Sequence, residues 1–328
     1  MSVRAEPWYR ALPRRLVSVP LYLVLFTLVV GGSPVWLALA AGVDLATGSG
    51  RLPRARALLF FCLYLTCEVI GIASAIVLTP LFLLGRDSVI AANAALQRAW
   101  TGALFAGSVR IFGLCVVVEG QDLARRGPML LFVRHTSTAD TVLAAALVAN
   151  PNRIVLRYVL KRELLWDPCL DIVGQRLPNT FVRRGGGQRD AEVRAVAALA
   201  EALDDRSAVL IYPEGTRFSE EKKARAVEAL RARGRDALAD RAARFRHVLP
   251  PRLGGPVALL DATDCDVVLV EHAGFEAAAS FREFLGGGLI GQTVRIRIRR
   301  FPATVIPEDR EGWLFDRWAE MDDWVAGP

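Results

Sequence analysis

The sequence predicts an α/β fold, a sheet flanked by helices, preceded by an N-terminal hydrophobic helical membrane anchor. Two long apolar runs open the chain, and from Leu114 onwards short β-rich runs alternate with helical stretches. Composition agrees with both halves. Hydrophobic residues at 53% and a mean hydropathy of +0.31 are high for a soluble enzyme, while 23% charged residues is too many for a purely membrane-embedded bundle. A membrane-attached catalytic or binding domain follows, with residues 1–86 as anchor and 87–328 as the domain.

The first apolar run, Leu16 to Val43, contains no charged residue. As a helix rising about 1.5 Å per residue it exceeds the roughly 30 Å hydrocarbon core. Gly31-Gly32-Ser33-Pro34 interrupts it, which allows either a kinked span or two half-helices in one leaflet. The second run, Ala57 to Gly85, carries a single charge, Glu68. A second run so close behind the first argues against a cleaved signal peptide. Arg4, Arg10, Arg14 and Arg15 place the N-terminus in the cytoplasm. Arg51, Arg54 and Arg56 in the short linker oppose its crossing. Two full spans and two re-entrant segments both leave the catalytic domain of an integral membrane protein on the cytoplasmic side. Glu68 is either functional or a packed glutamate and is not assigned to the site.

Residues 88–112 have helical composition, with Arg98 and Arg110 as their only charges, and predict a helix against the bilayer or the hairpin. Strands are expected at 114–120, 129–133, 208–213, 266–272 and 293–301, and helical stretches at 190–205 and 219–246. Such alternation builds a largely buried sheet with helices packed on it. In the last strand Arg295, Arg297 and Arg299 alternate with Val294, Ile296 and Ile298, as a half-exposed strand does. Trp313, Trp318 and Trp324 fit core packing of a terminal helix better than a membrane-interfacial role.

The stretch LLFVRHTSTADTVL, residues 130–143, holds one of only three histidines. The apolar run ends at Val133 and a helix is expected from Thr138, so His135 falls on a strand-to-helix turn and Asp140 in or near the first helical turn. Asp140 can then bind one imidazole nitrogen and fix the tautomer, leaving the other as a base for an alcohol proton. Ser137 is two residues from His135 and no G-x-S-x-G elbow is present, so the activated hydroxyl belongs to the substrate. A histidine that merely caps a helix would give the same pattern. His247 and His272 carry no assigned role, His272 reading as structural. Gly185 to Gly187 do not form a phosphate loop, because no Lys-Ser/Thr follows.

A second stretch, VLIYPEGTRFSE at 209–220, runs from a strand into a tight turn, Glu214-Gly215-Thr216-Arg217. Gly215 allows close backbone approach, and Thr216 and Arg217 offer donors to a phosphate oxygen. H-x4-D followed by E-G-T-R resembles the glycerolipid acyltransferase family, which includes lysophosphatidate acyltransferases. VLKRELLWDPCLDIVGQRLPNTFVRR (159–184) is similar to that family's second block and HVLPPRLGG (247–255) to its fourth. With the C-terminal stretches FREFLGG (281–287) and 299–325, the chain is most similar to the longer lysophosphatidate and lysocardiolipin acyltransferases. One departure is Arg134, where lysophosphatidate acyltransferases often have asparagine; the glycine-rich GGGQRD after Arg184 is another.

The resemblance implies a mixed sheet flanked by helices and direct acyl transfer. His135 would deprotonate the hydroxyl with Asp140 orienting it. Arg184, Glu214, Gly215, Thr216 and Arg217 would hold the acceptor and its phosphate, and Pro251 and Arg252 would shape the donor side. The implied substrates are a lysophospholipid, lysophosphatidate first, and an acyl thioester, acyl-CoA or acyl-carrier protein, met at the lipid bilayer. Lysophosphatidylglycerol and lysocardiolipin are alternative acceptors, and a lipid-binding membrane scaffold is the non-enzymatic alternative. No cofactor or metal is implied. A charge of +7 suits anionic lipid headgroups, and no nucleic-acid motif accompanies it, so no nucleic-acid partner is expected. Five scattered cysteines indicate neither a disulfide framework nor a zinc ribbon.

Overall fold

The computed structural model describes residues 6–183 and 189–327. The first apolar run folds as two helices, α1 (Trp8–Gly31) and α2 (Ser33–Ala46), broken at Gly32. A Cβ on Gly32 would meet Trp36 Nε1 at 2.3 Å, because that indole folds back to donate to the Leu28 carbonyl at 2.8 Å. Pro34 sits in the first turn of α2, where its missing N–H costs nothing. The second run forms α3 (Pro53–Val77), followed by a 3-10 turn over Thr79–Leu84. The helix expected at 88–112 is α4 (Arg86–Phe112), and it packs along α3.

These helices do not stand apart from the rest of the chain. At the start of α3, Arg56 donates to the Ile111 carbonyl and Phe60 meets Phe112 and Phe284. Midway, Tyr64 donates to Asp167 at 2.6 Å, and Glu68 accepts from Trp100 Nε1 at 3.1 Å and Cys169 N at 3.3 Å. At its end, Arg176 donates to the Ala75 carbonyl at 2.6 Å. Arg14 and Arg15 of α1 reach buried Asp171 at 2.7 and 2.9 Å. Glu68 is therefore a packed glutamate joining α3 to α4 and to the helix Pro168–Ile172.

Among the described residues seven strands form one sheet: β1 (Cys115–Glu119), β2 (Met129–Val133), β3 (Val155–Lys161), β4 (Thr180–Val182), β5 (Ser207–Ile211), β6 (Asp266–Ala273) and β7 (Thr293–Phe301). Their order is β1-β7-β6-β2-β5-β3-β4, parallel except where β7 meets β6, so the sheet is mixed. The five strands expected from β-rich runs are present to within about two residues at their ends. β3 and β4 are not among the expected strands; they lie in the block 159–184 and the residues just before it. Side chains alternate between two cores. Leu131, Val133, Leu210 and Val270 face the layer holding Phe112 and Leu143, whereas Leu130, Phe132, Val209 and Leu269 face the layer holding Val227 and Trp318.

Trp313 and Trp318, on the C-terminal helix Arg310–Ala326, are core residues. Arg297 and Arg299 are covered rather than solvated, because both pair with buried Glu271. Trp324 lies under Arg295 and Arg297, with centroid distances of 5.2 and 4.8 Å.

Register decides where the site falls. Phe132 pairs with Ile211 and Val133 with Val270, so the C-terminal ends of β2, β5 and β6 lie side by side. Parallel sheets present ligands at this edge.

Candidate active site

His135 leaves β2 on the four-residue turn 134–137, ahead of a 3-10 helix, Thr138–Val142. Ser137 caps that helix, and Asp140 closes a capping box by accepting the Ser137 N–H at 2.7 Å. The same oxygen accepts the Thr136 N–H at 2.6 Å, while the other oxygen faces His135 Nδ1 at 2.9 Å. A carboxylate there requires Nδ1 to carry the proton, so Nε2 is left as the base. Burial pushes the Asp140 carboxyl up, but the His135 bond, the neighbouring imidazoles and the Ser137 N–H outweigh it and hold it below the ordinary carboxylate value. The two sequence-predicted residues thus form a dyad: one carboxylate both starts the helix and sets the tautomer.

Glu214, expected among the acceptor-binding residues, has both carboxylate oxygens on backbone N–H groups. It is 2% exposed, with one oxygen accepting the His135 N–H at 3.1 Å and the other the Leu249 N–H at 3.0 Å. Glu214 therefore ties the histidine turn to the Pro-rich turn. Burial raises its carboxyl to about 7, against the opposing influences of Arg134 and the two backbone donors. A raised carboxyl contributes stability that is full below about 4.5 and is lost as pH rises towards about 7. Glu214→Gln lacks that loss. Its Tm is expected to gain on wild type between pH 5 and pH 8 by roughly 2–4 °C or more, the shift 1 kcal/mol makes in a domain of this size. Its turnover falls at pH 8, because an amide cannot accept both N–H groups. A Tm gap independent of pH, read by calorimetry, would contradict the assignment.

Gly215 adopts a left-handed φ of 66° and its N–H bonds the Tyr212 carbonyl at 2.8 Å, closing the turn that points Thr216 and Arg217 outward from β5. Arg217 is half-buried, and Nη1 donates to the Ala279 carbonyl at 2.7 Å. Ser137 Oγ donates to the adjacent Ala278 carbonyl at 2.8 Å, so Arg217 and the dyad turn hang on one loop. Pro251 is buried, and the Arg252 N–H binds the Pro213 carbonyl at 2.9 Å, joining the expected donor-side turn to the Glu214 turn. Arg184, with Gly185 to Gly187, lies outside the described residues.

Four residues outside the expected site support it, and of these Arg134 stands out in the sequence only as a departure from the family pattern and His272 only as a structural histidine. The Tyr212 ring lies 4.9 Å from the His135 ring, between centroids, and its hydroxyl donates to the Thr141 carbonyl at 3.2 Å. Arg134 and His272 are buried directly behind the dyad. Asp322 accepts the N–H groups of Arg246, His247 and Val248 at 2.8, 2.6 and 3.0 Å, and so fixes the loop that leads to Pro251.

A histidine with an oriented tautomer at the carboxyl edge of a mixed sheet, flanked by an arginine turn, has the geometry to take a proton from a hydroxyl. Comparison with known proteins narrows this. Residues 115–254 match the family model described as Acyltransferase. A relative, 1-acyl-sn-glycerol-3-phosphate acyltransferase epsilon of Mus musculus, is 25% identical over 226 residues, covering 64% of this chain and 60% of that protein. The chain thus spans about 60% of the length of that curated relative. The crystal structure of the 1-acyl-sn-glycerophosphate acyltransferase PlsC from Thermotoga maritima aligns with 80% of this chain and 98% of its own, with a TM-score of 0.44 and 12% identity. Residues 115–254 are thus similar to the acyltransferase family, and the chain is similar to a glycerolipid acyltransferase over the 226 residues that the mouse relative shares.

Proposed function

We propose that this protein transfers a fatty acyl chain from an acyl thioester, acyl-CoA or acyl-carrier protein, to the free hydroxyl of lysophosphatidate, giving phosphatidate. The observation that carries the reading is the His135–Asp140 pair, which leaves Nε2 as a base on a turn held by the same loop, Ala278-Ala279, that holds Arg217. The glycerol hydroxyl oxygen attacks the thioester carbonyl carbon while Nε2 takes its proton. The C–S bond then breaks, and the proton passes from the imidazolium to the departing thiolate. Asp140 stabilises the imidazolium between the two transfers. Arg217, with Thr216, holds the phosphate, and Pro251 and Arg252 flank the acyl donor. The scheme uses no metal and no cofactor. The name of the mouse relative and the phosphate-binding chemistry of an arginine turn support lysophosphatidate as the acceptor.

Membrane attachment is part of the proposal. α1 and α3 are both long and apolar enough to cross a bilayer, yet both ends of α3 bond to the catalytic domain. A helix about 37 Å long cannot cross while domain residues hold it at both ends. The arrangement that fits is insertion of α1 and α2 into one leaflet, with α3 as the floor between lipid and catalytic domain and the domain on the cytoplasmic face.

Purified protein in nanodiscs, given oleoyl-CoA and a panel of lysophosphatidate, lysophosphatidylglycerol, lysocardiolipin and glycerol 3-phosphate, tests the acceptor. The highest kcat/KM is expected with lysophosphatidate. Arg217→Ala should raise the KM for lysophosphatidate about 10–100-fold, the worth of a charge-assisted bond of roughly 1.5–3 kcal/mol, and change kcat little. A panel led by another lysophospholipid moves the reading to that acceptor.

A further inference from the structure

Arg134 stands immediately before the dyad histidine, and its side chain is 1% exposed. A buried arginine is costly unless its donors are met. Here the two Nη atoms reach three separate segments, while buried Nε has no partner among the described residues. Nη1 donates to the His272 carbonyl and to the Glu276 carboxylate, and Nη2 to the His247 carbonyl at 2.7 Å. The His247 carbonyl is itself held in place, because Asp322 fixes the backbone on both sides of it.

His272 returns the contact. Its ring is fully buried, and Nε2 donates to the Arg134 carbonyl at 2.9 Å. The same nitrogen lies 3.6 Å from the Asp140 oxygen that caps the helix. The Arg134 N–H meanwhile bonds the Val270 carbonyl at 3.1 Å. Residues 134 and 272 therefore clasp each other, the arginine side chain on the histidine backbone and the histidine side chain on the arginine backbone. His272, Glu276 and Asp322 all lie beyond residues 115–254, outside the matched domain.

We propose that Arg134 and His272 are positioning residues for the acyl transfer, a step that rests on the function proposed above. Only the turn 134–137 separates β2 from the capped helix, so a shift at Arg134 moves His135 relative to both Asp140 and Glu214. His272 sets the main chain on one side of His135, and Asp140 sets the ring on the other. Arg134 adds charge to geometry: among the influences that oppose burial at Glu214, its guanidinium is the strongest. It helps keep ionised the carboxylate that grips the His135 N–H. Misplacement of a reacting group by about 1 Å is worth roughly 10²-fold in rate.

The test pairs a disabling with a conservative substitution. His272→Leu removes the donor, whereas His272→Gln keeps an N–H near the ring edge; Arg134→Lys keeps the charge but cannot tie three segments. His272→Leu and Arg134→Lys are expected to lower kcat about 10–100-fold with KM within about twofold, and His272→Gln to recover most of it. The second readout is independent of turnover: protein labelled with 13Cε1-histidine, in which the His135 resonance is followed against pH. Its titration midpoint should move in His272→Leu and Arg134→Lys and return in His272→Gln. A core residue without a positioning role would leave it in place. Folded His272→Leu with wild-type kcat and an unmoved His135 midpoint would overturn the proposal. If both disabling variants melt below assay temperature, Glu276→Gln removes one tie from a side chain that is 43% exposed, and the same two readouts apply. Wild type that acylates nothing while His135 still responds would sink the proposed function and leave the positioning role. Transfer undisturbed by every variant would sink the positioning role alone.

Discussion

His135→Ala is expected to lower kcat for acyl transfer by about 10²–10⁴-fold, the range for removal of a positioned general base. Its Tm should stay within a few degrees of wild type. Nothing in the core depends on the imidazole, which is 14% exposed, and the capping box survives without it. Asp140→Asn should cost as much in rate but for two reasons, and the second also reaches stability. The buried Asp140 carboxylate accepts the Thr136 and Ser137 N–H groups on one oxygen and faces Nδ1 with the other. An asparagine must turn its NH2 towards one of these sets. Facing the backbone it meets two donors, and facing His135 it selects the wrong tautomer. The depressed Asp140 carboxyl contributes stability that is present above about 3.8 and lost as pH falls through its lowered value. At pH 7 the asparagine variant forgoes all of it. Parallel rate and melting measurements on the two variants separate catalysis from support. Equal Tm losses, or an active alanine variant, would mean that His135 is a structural cap.

How much of this was legible before the structure depended on whether a role was local in sequence. His135 and Asp140 are five residues apart, and a strand-to-helix turn joins them in any α/β fold, so their pairing could be read directly. The Glu214 turn could be located in the same way, since an apolar strand ends at Ile211. Its chemistry could not. Whether a carboxylate faces a ligand or a backbone N–H from Leu249 depends on how two distant turns dock. Arg134 was visible as a departure from the family pattern, but its three acceptors lie more than a hundred residues away. His272 read as the polar end of a strand, and only the pairing of Val133 with Val270 brings it behind Asp140. β3 escaped because its half-buried face carries Arg157 and Lys161, and β4 because three residues give no period to read. The apolar helices posed the reverse problem. Their hydrophobicity was obvious, whereas the contacts along α3 that bear on crossing come from Tyr64, Glu68 and Gly71. A Cβ on Gly71 would lie 2.5 Å from Cys169 Sγ, so the helix and the domain touch backbone to side chain.

Replacing Leu16, Leu21, Val24 and Leu28 together by serine should release the protein from lipid vesicles without unfolding it. All four lie on α1 and are 66%, 51%, 54% and 59% exposed, so no core contact is lost. An exposed run of this size on a folded domain marks an interaction surface. Fully burying one such side chain is worth about 1.5–3 kcal/mol, and four that are roughly half exposed sum to about 4 kcal/mol or more. The vesicle partition coefficient should therefore fall about 10³-fold, as read by sedimentation with sucrose-loaded vesicles. Activity towards a soluble short-chain acceptor should survive, since α1 meets the catalytic domain through Arg14 and Arg15 rather than through these residues. A companion measurement decides how the helices lie. Gly50→Cys, made with Cys115→Ser, places a thiol on the exposed corner between α2 and α3. The one-leaflet arrangement proposed above keeps that corner on the domain's side of the bilayer. An impermeant maleimide added on that side should label it. Labelling only from the opposite side would require α1 and α2 to cross the bilayer and would break the one-leaflet arrangement. Vesicle binding unchanged in the four-serine variant would move the lipid contact to another surface, where exposed Phe82, Leu83 and Leu84 would be substituted next.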